Sequence, residues 1–436
     1  MPTKDAAKAI LRHLLFILFL DIVAFSSILP LFPAIIDYYS SNSVKGDLYE
    51  LLERFLNGYA HFIGIPKEER LTSVAFGGML GSLFCTLQFL STPWFGAMSD
   101  FHGRKQMLLL SVAGSSLSYA LWLQASSFWV FFASRIVGGL SKATMPLAIA
   151  IVSDIYPPET RGYGMAFIGI AFSLGFLVGP SVGAYIAYSI RNSSGFWSLT
   201  APACFSLVVT VAQFCWIHWF LPETLPKTAR AKKQKPLSSQ VYDSVSPKAL
   251  FRFQALAKRE GSNELVTIRR LGLVYFLYLF AYSGLEFTMT FLTHQRFGFN
   301  SVQQGKMFLF IGLLMILIQG GYVRKLKPEN QKTAASVVIG FISVAWARSI
   351  LHFYAAITFY SLASGIVVPC LTTELSSQVD ANEKGTALGI FRGLGALSRA
   401  VGPIWASAVF WHMGSEFCYL MGATIITIPF ILLQRA

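Results

Sequence analysis

Twelve apolar runs, each close to the length that crosses a bilayer as a helix, follow one another near 11–37, 72–98, 106–125, 128–154, 161–189, 197–220, 269–293, 302–324, 332–350, 353–378, 384–412 and 416–434. Hydrocarbon offers a backbone no hydrogen-bond partner, so a run of about 20 apolar residues has to satisfy its own N–H and C=O groups and folds as a helix. The expected fold class is therefore an all-α membrane protein with twelve transmembrane helices. With 54% hydrophobic and 13% charged residues, the chain is composed to stay in lipid.

The formal net charge of +14 raises the question of nucleic acid. The basic residues lie between apolar runs and not along one soluble face, so no nucleic-acid partner is expected. They set orientation instead. Lys4, Lys8 and Arg12, then Arg104, Lys105, Arg161, the block from Lys227 to Arg270, Arg324, Lys325, Lys327, Lys332 and Lys384 all fall on one side, which predicts cytoplasmic termini. Cys85, Cys204, Cys215, Cys370 and Cys418 sit inside apolar runs without metal-ligand spacing, so they are expected to be buried small hydrophobes, with no metal site or cofactor. The first run is too long for a cleavable signal peptide.

Two connections are long. The first, 38–71, carries Leu48, Leu51, Leu52, Phe55, Leu56, Tyr59, Phe62 and Ile63 at helical period, which predicts an amphipathic helix at the outer surface. The second, 221–268, is rich in Lys, Arg, Ser and Gln, and divides the chain into 1–220 and 269–436 with a basic linker between. A partly helical piece around 247–258 is expected to touch the inner leaflet through Lys248, Arg252, Lys258 and Arg259. Asn192-Ser193-Ser194 forms a sequon in a short outer loop.

The two parts are related. A shift of 223 residues lays Pro146 on Pro369, Gly162 on Gly385, Arg161 on Lys384, and Gly179-Pro180 on Gly402-Pro403 without a gap. A parallel repeat of six plus six helices is an architecture in which two bundles rock about a central site.

Between the second and third runs stands Gly96-Ala-Met-Ser-Asp100-Phe-His-Gly103-Arg104-Lys105, a turn with both signs of charge and a glycine free to adopt positive φ. An ordinary charged loop is the plain alternative. Its placement makes the chain resemble the major facilitator superfamily, in the drug:proton antiporter and tetracycline transporter-like branch. Arg135 with Gly138 and Gly139 resembles the family's R-x-x-x-G element. Gly175, Gly179, Pro180 and Gly183 resemble its antiporter helix-packing element, imperfectly, since Ala184 stands where a second glycine is usual. Asp21 with Leu29-Pro30-Leu31-Phe32-Pro33 is similar to the same branch, and Leu221-Pro222-Glu223-Thr224 closes the sixth helix as halves of that family often do. Leu271 to Phe280, Leu292 to Phe297 and Gln303 to Phe308 are similar to its animal tetracycline transporter-like members, organic anion transporters. The resemblance implies a two-bundle fold and gating by Gly96, Asp100, Gly103, Arg104 and Lys105 on the cytoplasmic side, with the helix beginning near Lys384 as dipole partner. Arg104 and Lys105 can pair with acids of the facing half in one of two bundle arrangements. The sequence holds no nucleotide loop, so ATP is not expected to drive transport. The resemblance also implies a plasma-membrane location, or the inner nuclear membrane or another endomembrane.

The matching turn of the second half, Gly320 to Lys325, lacks the acid, which predicts an asymmetric lock.

Substrate chemistry is expected at charges inside the membrane, each costly there. Arg135 and Lys142 are seven apart in the fourth run, as are Arg392 and Arg399 in the eleventh, each pair nearly on one helical face. Asp21 and Glu286 supply negative charge. By helical rise Asp21 lies roughly 14 Å beyond Arg12 and Arg399 roughly 22 Å beyond Lys384. Four cations against two anions favour a small organic anion as substrate, with aromatic residues such as Tyr275, Tyr278, Tyr282, Phe287 and Phe391 for its apolar body. The competing reading for each charge is an internal ion pair, for example Asp21 with Arg135 or Lys142. Asp21 or Glu286 would carry a coupled proton, whereas anion exchange needs neither. Gly402 and Pro403 repeat the packing hinge of Gly179 and Pro180. A monomeric secondary transporter is the function expected. A non-transporting scaffold or receptor of the same fold is the alternative, and no nucleophile, base and orienting group come together to suggest an enzyme.

Overall fold

The computed structural model describes residues 3–42, 46–63, 69–157, 160–189, 195–225, 246–254, 256, 263–318, 335–379 and 384–434. The matching turn of the second half, the sequon and the basic residues Lys258 and Arg259 lie outside them. Among the described residues every regular element is a helix.

The first span consists of α1 (Lys4–Ser26) and α2 (Phe32–Ser41), joined through a 3-10 turn at Leu29–Leu31. Pro30 and Pro33 explain the break, because neither has an N–H to donate to the preceding turn. The chain continues through α3 (Leu48–Ile63), α4 (Glu69–His102), α5 (Arg104–Leu123), α6 (Phe128–Ser141), α7 (Thr144–Ile155), α8 (Arg161–Ser189) and α9 (Gly195–Phe220). After a short α10 (Pro247–Arg252) come α11 (Asn263–Phe297), α12 (Ser301–Leu317), α13 (Ala335–Ala345), α14 (Ile350–Ser377) and α15 (Lys384–Gln434). Two spans make up α15, which doubles back at Gly414 with φ 82° and ψ 170°, a conformation that L side chains rarely adopt.

The repeat is visible in the packing. A side chain at Gly179 would strike Ser26 of the first span, and one at Gly402 would strike Ser283 of the seventh. The Pro180 carbonyl in turn faces Gly305, and the Pro403 carbonyl faces Gly78, each across the junction between bundles. Ser26 and Ser283 are 257 positions apart, whereas the Gly-Pro pairs are 223 apart. The 34 extra residues equal the length of the 38–71 connection, so that connection reads as an insertion in one copy only.

Among the described residues the bundles meet at the end far from the termini. One apolar cluster runs through both, from Phe32, Phe76 and Phe128 to Phe291, Phe353 and Tyr419. A second cluster, with Leu14, Leu108, Leu147, Ile151 and Ile217, contains residues of the first bundle alone and lies at the end bearing the chain termini. Far from the termini, His294 pairs with Asp37, Phe287 packs edge-on to Phe32, and Gly77 and Gly78 abut Phe291 and Ser407.

Three expectations change. The α3 stripe divides: Leu48 and Tyr49 are buried on the bundle while Leu51 and Phe55 are 63% and 70% exposed. Tyr49 stacks on Phe76 at 4.4 Å, which fixes which face turns inward. The linker helix α10 packs on the second bundle, with Ala249 and Leu250 buried and Leu250 against Gly393, while Lys248 and Arg252 remain exposed. Of the cysteines, Cys418 alone is buried; Cys204 is exposed and the others are half-buried. A bundle in lipid can turn an apolar thiol outward at no hydrophobic cost.

Candidate functional site

Span four is broken where a charge is needed. α6 ends at Ser141 and α7 begins at Thr144, with Lys142 in the gap. Pro146 has no N–H to give the Lys142 carbonyl, so the helical bond at that point cannot form. The freed groups find side chains: Gln88 donates to the Lys142 carbonyl at 3.2 Å, and Ser111 Oγ donates to the Ser141 carbonyl at 2.6 Å while accepting from the Ala143 N–H at 3.1 Å. Broken backbone within membrane depth survives through such substitution. Pro369, its repeat counterpart, sits inside the continuous α14, so the break belongs to one copy.

The break aims Lys142 at the first span. Its Nζ donates to Asp21 Oδ2 at 2.7 Å and lies 3.3 Å from the Asp21 carbonyl, and Thr144 Oγ1 donates to Asp21 Oδ1 at 3.1 Å. Of the two pairings open from sequence, Lys142 takes Asp21 and Arg135 does not. Arg135 lies one shell deeper, 3% exposed, its guanidinium carbon 5.4 Å from the Trp122 ring centre and 5.5 Å from that of Phe131.

The second bundle supplies a different group. Pro403 and Ser407 of α15 meet Gly78 of α4, and at helical spacing the same face continues through Arg399 to Arg392. Cys85 continues the matching face of α4 from Gly78 and Gly81. Arg399 is close enough to act electrostatically on Cys85, Glu286 and Tyr275, and it is exposed. Phe391 stacks on Tyr275 with ring centres 4.5 Å apart, and Tyr278, Tyr282 and Tyr360 form a further stack beside Glu286. The six membrane charges thus fall into two groups, Asp21–Lys142–Arg135 in the first bundle and Glu286–Arg392–Arg399 in the second. They approach one another at Phe84 and Cys85 of α4.

The turn at 96–105 is held within the first bundle. Arg104 pairs with Asp100 at 2.6 Å and Asp154 at 3.0 Å, both in its own bundle. Its main-chain N–H and that of Lys105 donate to the Glu223 carboxylate at 2.9 and 3.3 Å, and Lys105 Nζ donates to the His218 carbonyl at 2.7 Å. Glu223 therefore caps the amino end of α5, where Gly103 has no side chain to do so. Gly103 has φ 105°, as the turn requires, and a side chain at Gly96 would meet nothing within 4 Å. The expected pairing with acids of the facing half is absent among the described residues. Among the described residues these charges close on their own bundle. Asp154, Glu223 and Thr144 were not singled out as partners from sequence. The Leu-Pro-Glu-Thr stretch was the one signal, read as a helix end.

Of the packing elements, Gly175 abuts Ile22, Gly183 abuts the Ser27 carbonyl, and both draw α8 onto the first span at its break.

Two helical bundles, charges at membrane depth on both, and a junction closed at one end define a membrane transporter, not an enzyme. The chain belongs to the Major Facilitator Superfamily, whose family model matches residues 14–403. It is 41% identical to mouse major facilitator superfamily domain-containing protein 10, over 100% of this chain and 94% of that one. It is 25% identical to the class B tetracycline resistance protein of Escherichia coli, over 77% and 79%. The crystal structure of the human organic anion transporter MFSD10 (TETRAN) superposes with TM-score 0.81 at 40% identity, covering 99% of this chain and 100% of that one.

Proposed function

We propose that this protein is a secondary active transporter of small amphipathic organic anions, working by alternating access between a first bundle at 1–220 and a second at 269–436, with 221–268 as the basic linker. The observation that carries the reading is the placement of Arg392 and Arg399. At helical spacing they continue the α15 face whose Pro403 and Ser407 meet Gly78 of α4, and Arg399 is exposed. A guanidinium there binds a carboxylate, sulfate or phosphate through a planar fork. The stacked Tyr275 and Phe391 offer the apolar body a flat wall. That a similar human protein is described as an organic anion transporter supports the same class.

Asp21 and Glu286 are the carboxylates through which a proton would couple, and anion exchange is the alternative mode. The basic loops on the side of the termini support cytoplasmic termini. A monomer in the plasma membrane fits this reading. Uptake of a labelled organic anion into proteoliposomes tests it: Arg399→Ala and Arg392→Ala should each lower flux at least about tenfold, the loss of one charged contact. Unchanged flux in both variants would refute the site.

A further inference from the structure

Arg135 carries its charge in the interior of the first bundle with very little to balance it. Nε donates to Ser134 Oγ at 3.3 Å, whereas Nη2 is buried without a hydrogen-bond partner. The rings of Trp122, Phe131 and Phe84 lie 5.4, 5.5 and 6.0 Å from the guanidinium carbon. Such faces attract a cation without neutralising it. The acid of this cluster, Asp21, is already engaged by Lys142 and Thr144. Two cations and one anion leave one positive charge over, at a depth where an uncompensated ion is expensive.

Beside Arg135 lies a cavity of about 10 Å³, lined by Lys142, Tyr119, Ser115, Phe25 and Phe84. That volume holds one occupant near the size of water. Water would satisfy the Nη2 hydrogen bond and leave the charge unchanged. That volume favours a compact occupant over a carboxylate or sulfate group. A single monatomic anion meets both requirements, and the surroundings suit it: a guanidinium N–H, a neighbouring ammonium, and two aromatic walls.

We propose that the first bundle holds a chloride-class halide at Arg135, between Nη2 and the Lys142 side of the cavity. The site is distinct from the one at Arg392 and Arg399. Its occupant balances the charge that the Asp21–Lys142 pair leaves over, so halide should stabilise the first bundle whether or not organic substrate is present.

The test uses purified full-length protein in chloride, bromide and gluconate at equal ionic strength. A halide-dependent rise in Tm of about 2 °C or more over gluconate is expected. It should disappear in Arg135→Gln and be partly restored in Arg135→Lys. If Arg135→Gln fails to fold, Ser115→Leu fills the cavity with the cation left in place and should abolish the halide effect. Crystals grown in bromide should show anomalous density beside Nη2. Equal Tm in all three salts, a halide shift that survives both Arg135→Gln and Ser115→Leu, or bromide bound elsewhere only would each overturn the proposal. Melting and anomalous density do not depend on flux, so these outcomes stand apart from any failure of the organic-anion reading.

Discussion

Lys142 reaches Asp21 across two spans of the first bundle, Nζ to Oδ2 at 2.7 Å, with the two side chains 12% and 3% exposed. The pair exists because Pro146 opens the helix at Lys142, and it ties the broken fourth span to the first. Removing one partner of a buried ion pair costs about 3–5 kcal/mol, because the other charge is left unpaired. Asp21→Asn and Lys142→Met should each lower Tm markedly, whereas the double variant should melt closer to the parent. A double variant that melts as low as the sum of the two single losses would show that the pair is not coupled.

Asp100 and Asp154 share Arg104 but differ in burial, which separates their effects. Asp100 is 47% exposed and Asp154 18%. Asp154→Asn should lower stability, since its partner is 11% exposed. If the turn gates the cytoplasmic side, as the family resemblance implies, Asp100→Asn should slow turnover more than it weakens substrate binding. Transport kinetics and a binding isotherm on the same variant decide it; equal loss in both would count against gating.

His294 offers the closed end a response to pH. Its Nδ1 lies 3.0 Å from the Phe299 carbonyl and its Nε2 3.0 Å from Asp37 Oδ2. Both partners are acceptors, so both bonds form together only when both ring nitrogens carry protons. The link between the first and seventh spans is thus complete at low pH and loses a bond as pH rises through the histidine range. Spin labels flanking Asp37 and His294 should report a longer or broader distance distribution at about pH 8 than at about pH 5. His294→Asn should flatten that difference.

Arg296 closes the end of α13. Its Nη1 donates to the Ala345 and Ala347 carbonyls at 2.9 and 3.0 Å, and its Nη2 to Ser415 Oγ at 2.8 Å. A cation on terminal carbonyls satisfies groups that the helix leaves unpaired. Arg296→Met should lower Tm and, unlike Arg399→Ala, leave the apparent affinity for anion close to the parent value. Binding measured on the residual folded protein is the check.

The charges of the site were legible individually because an ionised side chain in an apolar run has few structural excuses. Their partners were not. Asp21 had two cations at suitable depth, Arg135 and Lys142, and the choice between them turned on a helix break that Pro146 makes and Gln88 and Ser111 repair. Glu223 was visible as a helix end, yet its role as the cap of α5 depends on two segments more than a hundred residues apart. Arg104 was expected to reach across the bundles in one of two arrangements, and here it pairs with Asp100 and Asp154 of its own bundle.

By itself the sequence determined the spans, since the length of apolar runs answers to the bilayer and not to a particular neighbour, and it carried the duplicated Gly-Pro elements and, through motifs that resemble a known family, the class of protein. The tertiary structure alone decided which charges meet, which end is closed, and that Arg135 is left with its Nη2 unpaired beside a cavity. Those outcomes depend on distances of a few ångströms between helices remote in the chain, where Coulomb interaction and hydrogen bonding fall off too steeply for spacing in sequence to predict them.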